Sequence, residues 1–374
     1  METIAVRPDR LSRDQMSLTE AVRPSSRELV VARRHLHLKA VMIAALAVSS
    51  YWYLVASQSS VIGKIMATLV LVVALTAAAT CVFHDANHAS FSTSQLVNRL
   101  AGFTGDLLGA SSWIWRFKHN NLHHGNTNMV GFDADIDQAP FARLAPDQPW
   151  RPWHRYQHLY MWVLYGFLTL QWFLISDFVD LKNHGIGRQR FARQPRRRDV
   201  GMIAFGKVLH AGWAIALPLV YHRWWVVLTF YLAISWTVGL LLATMFQLAH
   251  CAEPADFPSA DTPRRGPDFI AHQLRTTVDV HCRTRIGAGA LHWLMGGLDY
   301  QVEHHLAPRL PHTVYPLVAR RLNVACNACD LTIHSHATPW RAVRSHARWL
   351  KAMGTRPRNQ GHDDGLGTKP WPSS

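Results

Sequence analysis

The sequence predicts an all-α integral membrane protein with four transmembrane helices, and three observations lead there. Hydrophobic residues make up 49% of the 374-residue chain against 17% charged, and the apolar residues fall in blocks near the ~20 residues that cross a bilayer as helix. Several of the 15 Trp lie near the ends of those blocks, where indole rings prefer the membrane interface. Three histidine groups, far apart in sequence, each sit just beyond an apolar block. The length alone would permit two or three soluble domains, but apolar residues gathered in blocks argue against that.

Residues 1–39 are polar and carry Arg7, Arg10, Arg13, Arg23, Arg27, Arg33, Arg34 and Lys39. No apolar run begins early enough for a cleavable secretory signal, so this stretch reads as a basic cytosolic tail, partly disordered or lying on the membrane surface. The first span is expected over about 40–56 and the second over about 61–83, joined by the polar Ser57-Gln-Ser-Ser60. Lys64 near one end can snorkel to the interface. Residues 159–178 are apolar and aromatic, and the strongly basic 182–198 follows. Two further spans are expected, about 202–221 and 225–248, with Pro218 tolerable near the end of the third. From residue 249 on, nothing is apolar enough to span. The membrane domain is set at 40–325, and 326–374 reads as a cytosolic C-terminal region with a disordered end.

Parity orders this topology. If 40–56, 61–83, 202–221 and 225–248 cross and 159–178 does not, then the N-terminus, the basic 182–198 stretch, all three histidine groups and the basic C-terminal region share one side. The Lys/Arg rule makes that side cytoplasmic. If 159–178 also crossed, the second and third groups would face opposite sides and could not form one site. That segment is therefore predicted to be an interfacial or re-entrant helix. The net charge of +15 is read as lipid contact and topology rather than nucleic-acid binding, since no aromatic-basic nucleic-acid module appears. Five cysteines, odd in number and scattered, make no disulfide framework, and Cys326-Asn-Ala-Cys329 lacks the second ligand pair a zinc site needs.

The histidine groups carry the chemistry. His84-Asp-Ala-Asn-His88 places two rings at i, i+4, one helix face. His119-Asn-Asn-Leu-His123-His124 repeats that spacing, with His124 turned by one residue. Gln301-Val-Glu-His304-His305 adds an adjacent pair. Each group alone could be capping or interfacial histidines. Seven histidines on one side of the membrane exceed the four ligands zinc takes and imply two metal ions. No cysteine accompanies them, which argues against iron–sulfur and blue copper, and the Glu-x-x-His pattern of soluble carboxylate di-iron bundles is missing. An all-histidine dinuclear iron site points to O2 activation and oxidation of an unreactive C–H bond.

These motifs resemble the three histidine boxes of the membrane fatty acid desaturases, in order and separation. The surroundings are similar to the acyl-lipid and front-end branch: Phe83 to Phe91, Thr127-Asn128, Asp133-Ala-Asp135, Arg155 to Tyr160, and Gly296-Gly-Leu-Asp-Tyr-Gln-Val-Glu-His-His-Leu-Ala-Pro308. The resemblance covers about 40–325. It implies a four-span fold with a cytosolic helical cap holding a histidine-ligated di-iron centre, which uses O2 and two external electrons to put a double bond into an acyl chain. On that resemblance the metal ligands are His84, His88, His119, His123, His124, His304 and His305. His250 stands where the family often supplies a further ligand, though a helix-terminal His stabilised by the dipole would look the same. Gln301 departs from an all-histidine pattern; its carbonyl oxygen can ligate, or its amide can hold a metal-bound water. Asp85, Asp133 and Asp135 are candidates to fix imidazole tautomers, or else surface carboxylates.

The remaining histidines, His154, His210, His292 and His312 among them, match no box and read as surface, interfacial or core. No His-Pro-Gly-Gly haem motif and no Rossmann fingerprint appears. Electrons are thus expected from a separate carrier, ferredoxin or cytochrome b5-like, with its reductase. The basic residues between Arg188 and Arg198, with Arg320 and Arg321, suit either an acidic partner or lipid headgroups. The acyl group could ride on lipid, CoA or a carrier protein. A hydroxylase, acetylenase or ketolase on the same scaffold is the nearest rival. A histidine-rich metal transporter is the more distant one, since transporter sites lie at mid-membrane.

Overall fold

A computed structural model describes residues 20, 22–259 and 268–357; residues 1–19 and the C-terminal end expected to be disordered lie outside the described residues. Helix α1 (Ser26–Ala56) opens on a capping box: Ser25 Oγ accepts the Glu28 amide, and Glu28 Oε2 accepts the Ser25 amide at 2.7 Å. Residues 26–39 are thus continuous with the apolar block. In α2 (Val61–Asn87), Lys64 reaches back and donates to the carbonyls of Leu54 (2.7 Å) and Ser57 (2.8 Å), satisfying acceptors left open at the end of α1. Near its far end α2 widens into a π turn, Ala78–Phe83, before His84. Helix α3 (Gln95–Gly102) leaves Leu96 and Leu100 exposed. Helix α4 (Ser112–Arg116) is capped by Ser111 and runs into a second π turn, Phe117–His123.

Helices α5 (Gln157–Tyr165) and α6 (Leu168–Lys182) bend by 70° at their junction. Glycine lets that junction press against the helix Trp224–His250. A Cβ on Gly166 would lie 2.1 Å from Trp236 Nε1, and one on Gly239 would lie 2.5 Å from Gly166 O, so the two backbones touch. Helix α7 (Arg197–Tyr221) anchors α6 through buried Lys207, which donates to Asp177 (2.5 Å) and to the carbonyls of Gly109 (2.6 Å) and Trp172 (2.7 Å). Helix α8 (Trp224–His250) follows after a short turn. Helices α1, α2, α7 and α8 are each long and apolar enough to cross a membrane. Their outer faces expose apolar side chains, such as Val41 at 69% and Val220 at 76%, as a lipid-facing surface does.

The rest of the chain packs at the His84 and His250 ends of α2 and α8: α9 (Asp268–Thr276), α10 (Arg285–Met295), α11 (Gln301–Leu306), α12 (Tyr315–Ala328) and α13 (Pro339–Gly354). Among the described residues, strand is confined to two short pairs. β1 (Gly185–Ile186) runs antiparallel to β2 (Gln189–Arg190), and β3 (Asp279–Val280) parallel to β4 (Ser335–His336). The turn from α10 to α11 needs Gly296 and Gly297, both at positive φ; a Cβ on Gly296 would meet Thr80 O at 2.4 Å. That close approach lets the third histidine group nest against the π turn of α2.

Candidate metal centre

The structure brings all three histidine groups, together with His250, to one buried place where α2, α4, α8 and α11 end. They divide into two sets. In the first, His84, His88, His119 and His304 have ligand atoms all within 4.8 Å of one another. His124 stands between the two sets, its ring 4.8 Å from His88 and 4.7 Å from both His119 and His304, and its ligand atom grouped with those of His304 and His305. In the second, His123, His250 and His305 are likewise within 4.8 Å, and the Gln301 amide lies 2.8 Å from His250 Nε2. The sets abut where His124 stacks on His305 at 4.2 Å.

The division comes from a backbone feature that histidine spacing does not announce. On an α-helix at ~100° per residue, His124 would stand about 140° around from His119. The π turn closes His124 N on His119 O at 3.0 Å and swings His124 back beneath it, leaving the two Nε2 atoms 3.2 Å apart. His123 shares the face of His119 as expected, its ring stacked at 5.2 Å, while its Nε2 meets His250.

Hydrogen bonds then decide which nitrogen each ring offers. His123 Nδ1 donates to Asp133, 3.1 Å from both carboxylate oxygens. His305 Nδ1 donates to Gln273 Oε1 at 2.8 Å, and Gln273 is itself oriented by donating to His124 O. His250 Nδ1 donates to Thr276 O at 3.3 Å. With Nδ1 carrying the proton in all three, each Nε2 is left with a lone pair. His123 Nε2 and His250 Nε2, both buried, sit only 3.2 Å apart. Imidazole nitrogens that share a metal at about 2.1 Å each stand at such a separation, and the Gln301 amide lies beside them at 2.8 Å from His250 Nε2. His84 Nδ1 and Nε2, His88 Nε2, His304 Nε2, His305 Nε2 and Gln301 Oε1 are also buried without a hydrogen-bond partner. The donor set therefore fits two histidine-bound metal ions.

Electrostatics agrees. Burial, then the charge of neighbouring rings, holds His88, His124, His304 and His305 well below the ordinary histidine range, and burial does the same to His119 against Asp135, which raises it, so these rings are neutral at pH 7. His123 goes the other way: burial opposes its charge, but Asp133 and Asp135 outweigh burial and raise it. A carboxylate on Nδ1 makes Nε2 a stronger donor.

Of the expected carboxylates, Asp133 meets its imidazole directly. Asp135 is partly exposed, 3.8 Å from His119 and 3.5 Å from His123, and pairs with Lys118 at 2.9 Å. Asp85 does not bond His84, whose Nδ1 is 3.8 Å away; its Oδ2 takes His312 instead. Asn128, at positive φ, carries the loop after the second group: its amide donates to His250 O (2.9 Å) and Asp256 O (3.0 Å), and its backbone N–H to Asp133. Sequence spacing offers no signal for Gln273, Thr276, Tyr315 or His312, which touch the histidines or Asp85 from loops and helices far along the chain. Cys326 and Cys329 are free.

A cavity of about 490 Å³ reaches the centre, touching His119, His123, His250 and Gln301 and walled by Met161, Leu164, Phe167, Trp172, Ile175 and Phe246 among others. A second, almost wholly apolar cavity of about 290 Å³ lies between α1, α2, α7 and α8, from Phe83 at one end to Lys64 and His222 at the other. Trp172 borders both.

Comparison with known sequences gives these features a class. The profile of the family "Fatty acid desaturase" matches residues 62–337. The chain belongs to the fatty acid desaturase family: it is an oxidoreductase that desaturates fatty acyl chains, a multi-pass membrane protein with a lipid substrate. Among its relatives, the sn-1 linoleoyl-lipid 6-desaturase of Arthrospira platensis is 31% identical over 330 residues, 87% of each chain. The enzyme of the same name from Synechocystis sp. is 31% identical over 294 residues, 78% of this chain and 80% of its own. The acyl-lipid (8-3)-desaturase of Physcomitrium patens is 31% identical over 324 residues, 86% of this chain and 66% of its own.

Proposed function

We propose that this enzyme is an O2-dependent acyl-lipid desaturase in which His84, His88, His119, His124 and His304 hold one iron ion and His123, His250, His305 and Gln301 hold a second. The observation that carries the reading is the convergence of the seven box histidines and His250 on one buried place, with His123 Nε2 and His250 Nε2 3.2 Å apart and several ring nitrogens without a hydrogen-bond partner among the described residues. The relatives named for linoleoyl-lipid and acyl-lipid substrates support an acyl group carried on a membrane lipid.

Loaded with iron, such a centre supplies the oxidising power, from O2 and two external electrons, that removes two hydrogens from adjacent acyl carbons. The protein's own work is positional. Asp133, Gln273 and the Thr276 carbonyl hold three rings with Nε2 forward. The apolar wall of the larger cavity seats the chain against His119, His123 and Gln301 and excludes water. Trp172 stands where that cavity meets the one inside the bundle, which suits the chain's methyl end.

The side of the membrane follows from parity. The second and third groups are in contact, so an even number of crossings separates them; α7 and α8 supply two, and the bent α5–α6 pair returns to the side it left. The exposed basic run at Arg193–Arg198, with Arg320, supports a cytoplasmic side by the Lys/Arg rule and suits an acidic electron carrier, ferredoxin or cytochrome b5-like. The boundaries expected near residues 39 and 325 both fall within helices, α1 (Ser26–Ala56) and α12 (Tyr315–Ala328).

Expression in a host with a suitable electron donor, with mass spectrometry of total fatty acids, tests the reading. A product lighter by two hydrogens is expected, and His304→Ala should abolish it with membrane insertion intact. A product heavier by one oxygen, turnover by His304→Ala, or two zinc rather than two iron per purified chain would overturn it. A reporter fused after residue 190 should read cytoplasmic.

A further inference from the structure

Lys39 is a buried lysine, 8% exposed, in the first membrane helix, and among the described residues no carboxylate pairs with it directly. Its Nζ lies 2.9 Å from His312 Nε2, with the Trp293 ring 5.6 Å away. His312 is fully buried. Its Nδ1 is 2.9 Å from Asp85 Oδ2, and its backbone N–H reaches the same oxygen at 3.1 Å. The opposite carboxylate oxygen, Asp85 Oδ1, is 3.8 Å from His84 Nδ1.

The proton positions along this chain are forced. An ammonium only donates, so His312 Nε2 must accept. The single hydrogen of the neutral ring is then on Nδ1 and is donated to Asp85. Two N–H groups occupy Oδ2, which leaves Oδ1 as the free acceptor, next to His84. His84 has no hydrogen-bond partner on either nitrogen, whereas His123, His250 and His305 each have a fixed acceptor on Nδ1. A His84 that turns Nε2 toward a metal carries its proton on Nδ1, and Asp85 Oδ1, 3.8 Å away and unbonded to it here, is a carboxylate oxygen that a small tilt of the ring brings within reach. One positive and one negative charge, bridged by a neutral ring, also keep the buried chain neutral, so neither ion is left uncompensated.

We propose that Lys39, His312 and Asp85 form a positioning relay that fixes the tautomer and tilt of His84, so that filling of the five-histidine set depends on the seating of α1. The proposal rests on the reading of His84 as a metal ligand. None of the three touches substrate; each acts through His84.

The test is a cobalt(II) titration of purified, metal-stripped full-length protein in lipid nanodiscs, counting bound ions and following their visible absorption. Wild type, Lys39→Met, His312→Phe and His312→Asn are compared. Wild type should take two ions. Lys39→Met and His312→Phe should weaken one of the two by about 10–100-fold, the range for lost partners of metal-bound histidine, and leave the other unchanged. His312→Asn keeps a donor toward Asp85 but loses Lys39, and should fall between; it also stands in if a larger change prevents folding. Two ions bound with wild-type affinity in every variant overturns the relay, as does equal weakening of both ions, which would mark general structural damage. A wild type that does not take two ions overturns the metal-centre reading itself.

Discussion

Asp133→Asn is the perturbation whose outcome the geometry defines most sharply. Asp133 is 1% exposed, and its two oxygens receive three N–H groups: His123 Nδ1 at 3.1 Å from both, Asn128 N at 2.8 Å on Oδ2, and Asp135 N at 2.9 Å on Oδ1. An amide of the same shape has one oxygen. Whichever way it turns, its NH2 faces a donor, so a buried N–H goes unsatisfied at about 1–3 kcal/mol. If the backbone bonds win, His123 loses its acceptor, the carboxylate that raised its basicity is gone, and its Nε2 binds metal less firmly. Losing such a partner costs about 10–100-fold in metal affinity or activity, equivalent to about 1.4–2.7 kcal/mol. The assay is iron per chain after purification, alongside desaturated product per hour in the same preparation. Both should fall by that factor, whereas Asp137→Asn, exposed on the same loop, should change neither. Full iron content and normal turnover in Asp133→Asn would refute the role given to Asp133.

Trp172 borders both cavities, so Trp172→Ala should join them and favour longer acyl chains. Each further buried methylene is worth about 0.8 kcal/mol, roughly fourfold, and an unchanged chain-length profile in a mixed-substrate assay would rule the partition out. Asp177→Ala leaves Lys207 buried beside two carbonyls; breaking such a pair costs about 3–5 kcal/mol. The detergent-purified variant should therefore unfold well below wild type in a thermal ramp. Burial, and then Asp299, pushes the Asp279 carboxyl from 3.8 up to about 7. The folded protein thus holds a proton that the unfolded chain releases, and stability falls as pH rises through that window. Asp279→Asn keeps the bond from Val302 N (3.0 Å) and should reduce the fall, leaving the share due to Glu303, also pushed up by burial; a pH–stability curve as steep as wild type would count against it.

Much about this protein is legible in the chain itself. A bilayer offers the backbone no partners, so a span must satisfy its own hydrogen bonds over ~20 apolar residues, and that demand is written locally in α2, α7 and α8. The three boxes are local too, short motifs whose residue types declare metal chemistry and, by resemblance, the desaturase family to which the chain belongs. What spacing cannot express is how the ligands are shared out. His119, His123 and His124 read as one face of an α-helix with a straggler; a π turn, an extra residue in the backbone repeat, swings His124 beneath His119 and against His304 and His305, while His123 meets His250. His250, suggested only by resemblance, meets His123 because Asn128 ties the loop after the second box to the end of α8. The Lys39–His312–Asp85 chain joins residues up to 273 apart in sequence, and each looks ordinary alone: a lysine near an interface, a histidine after a proline, an aspartate beside a ligand. The sequence by itself determined the membrane class and the donor atoms, because hydropathy and side-chain chemistry are properties of single residues and short runs. Only the tertiary structure decided which donors share a site and which nitrogen each presents, because a tautomer is set by whatever lies across the ring, and that neighbour arrives from elsewhere in the chain.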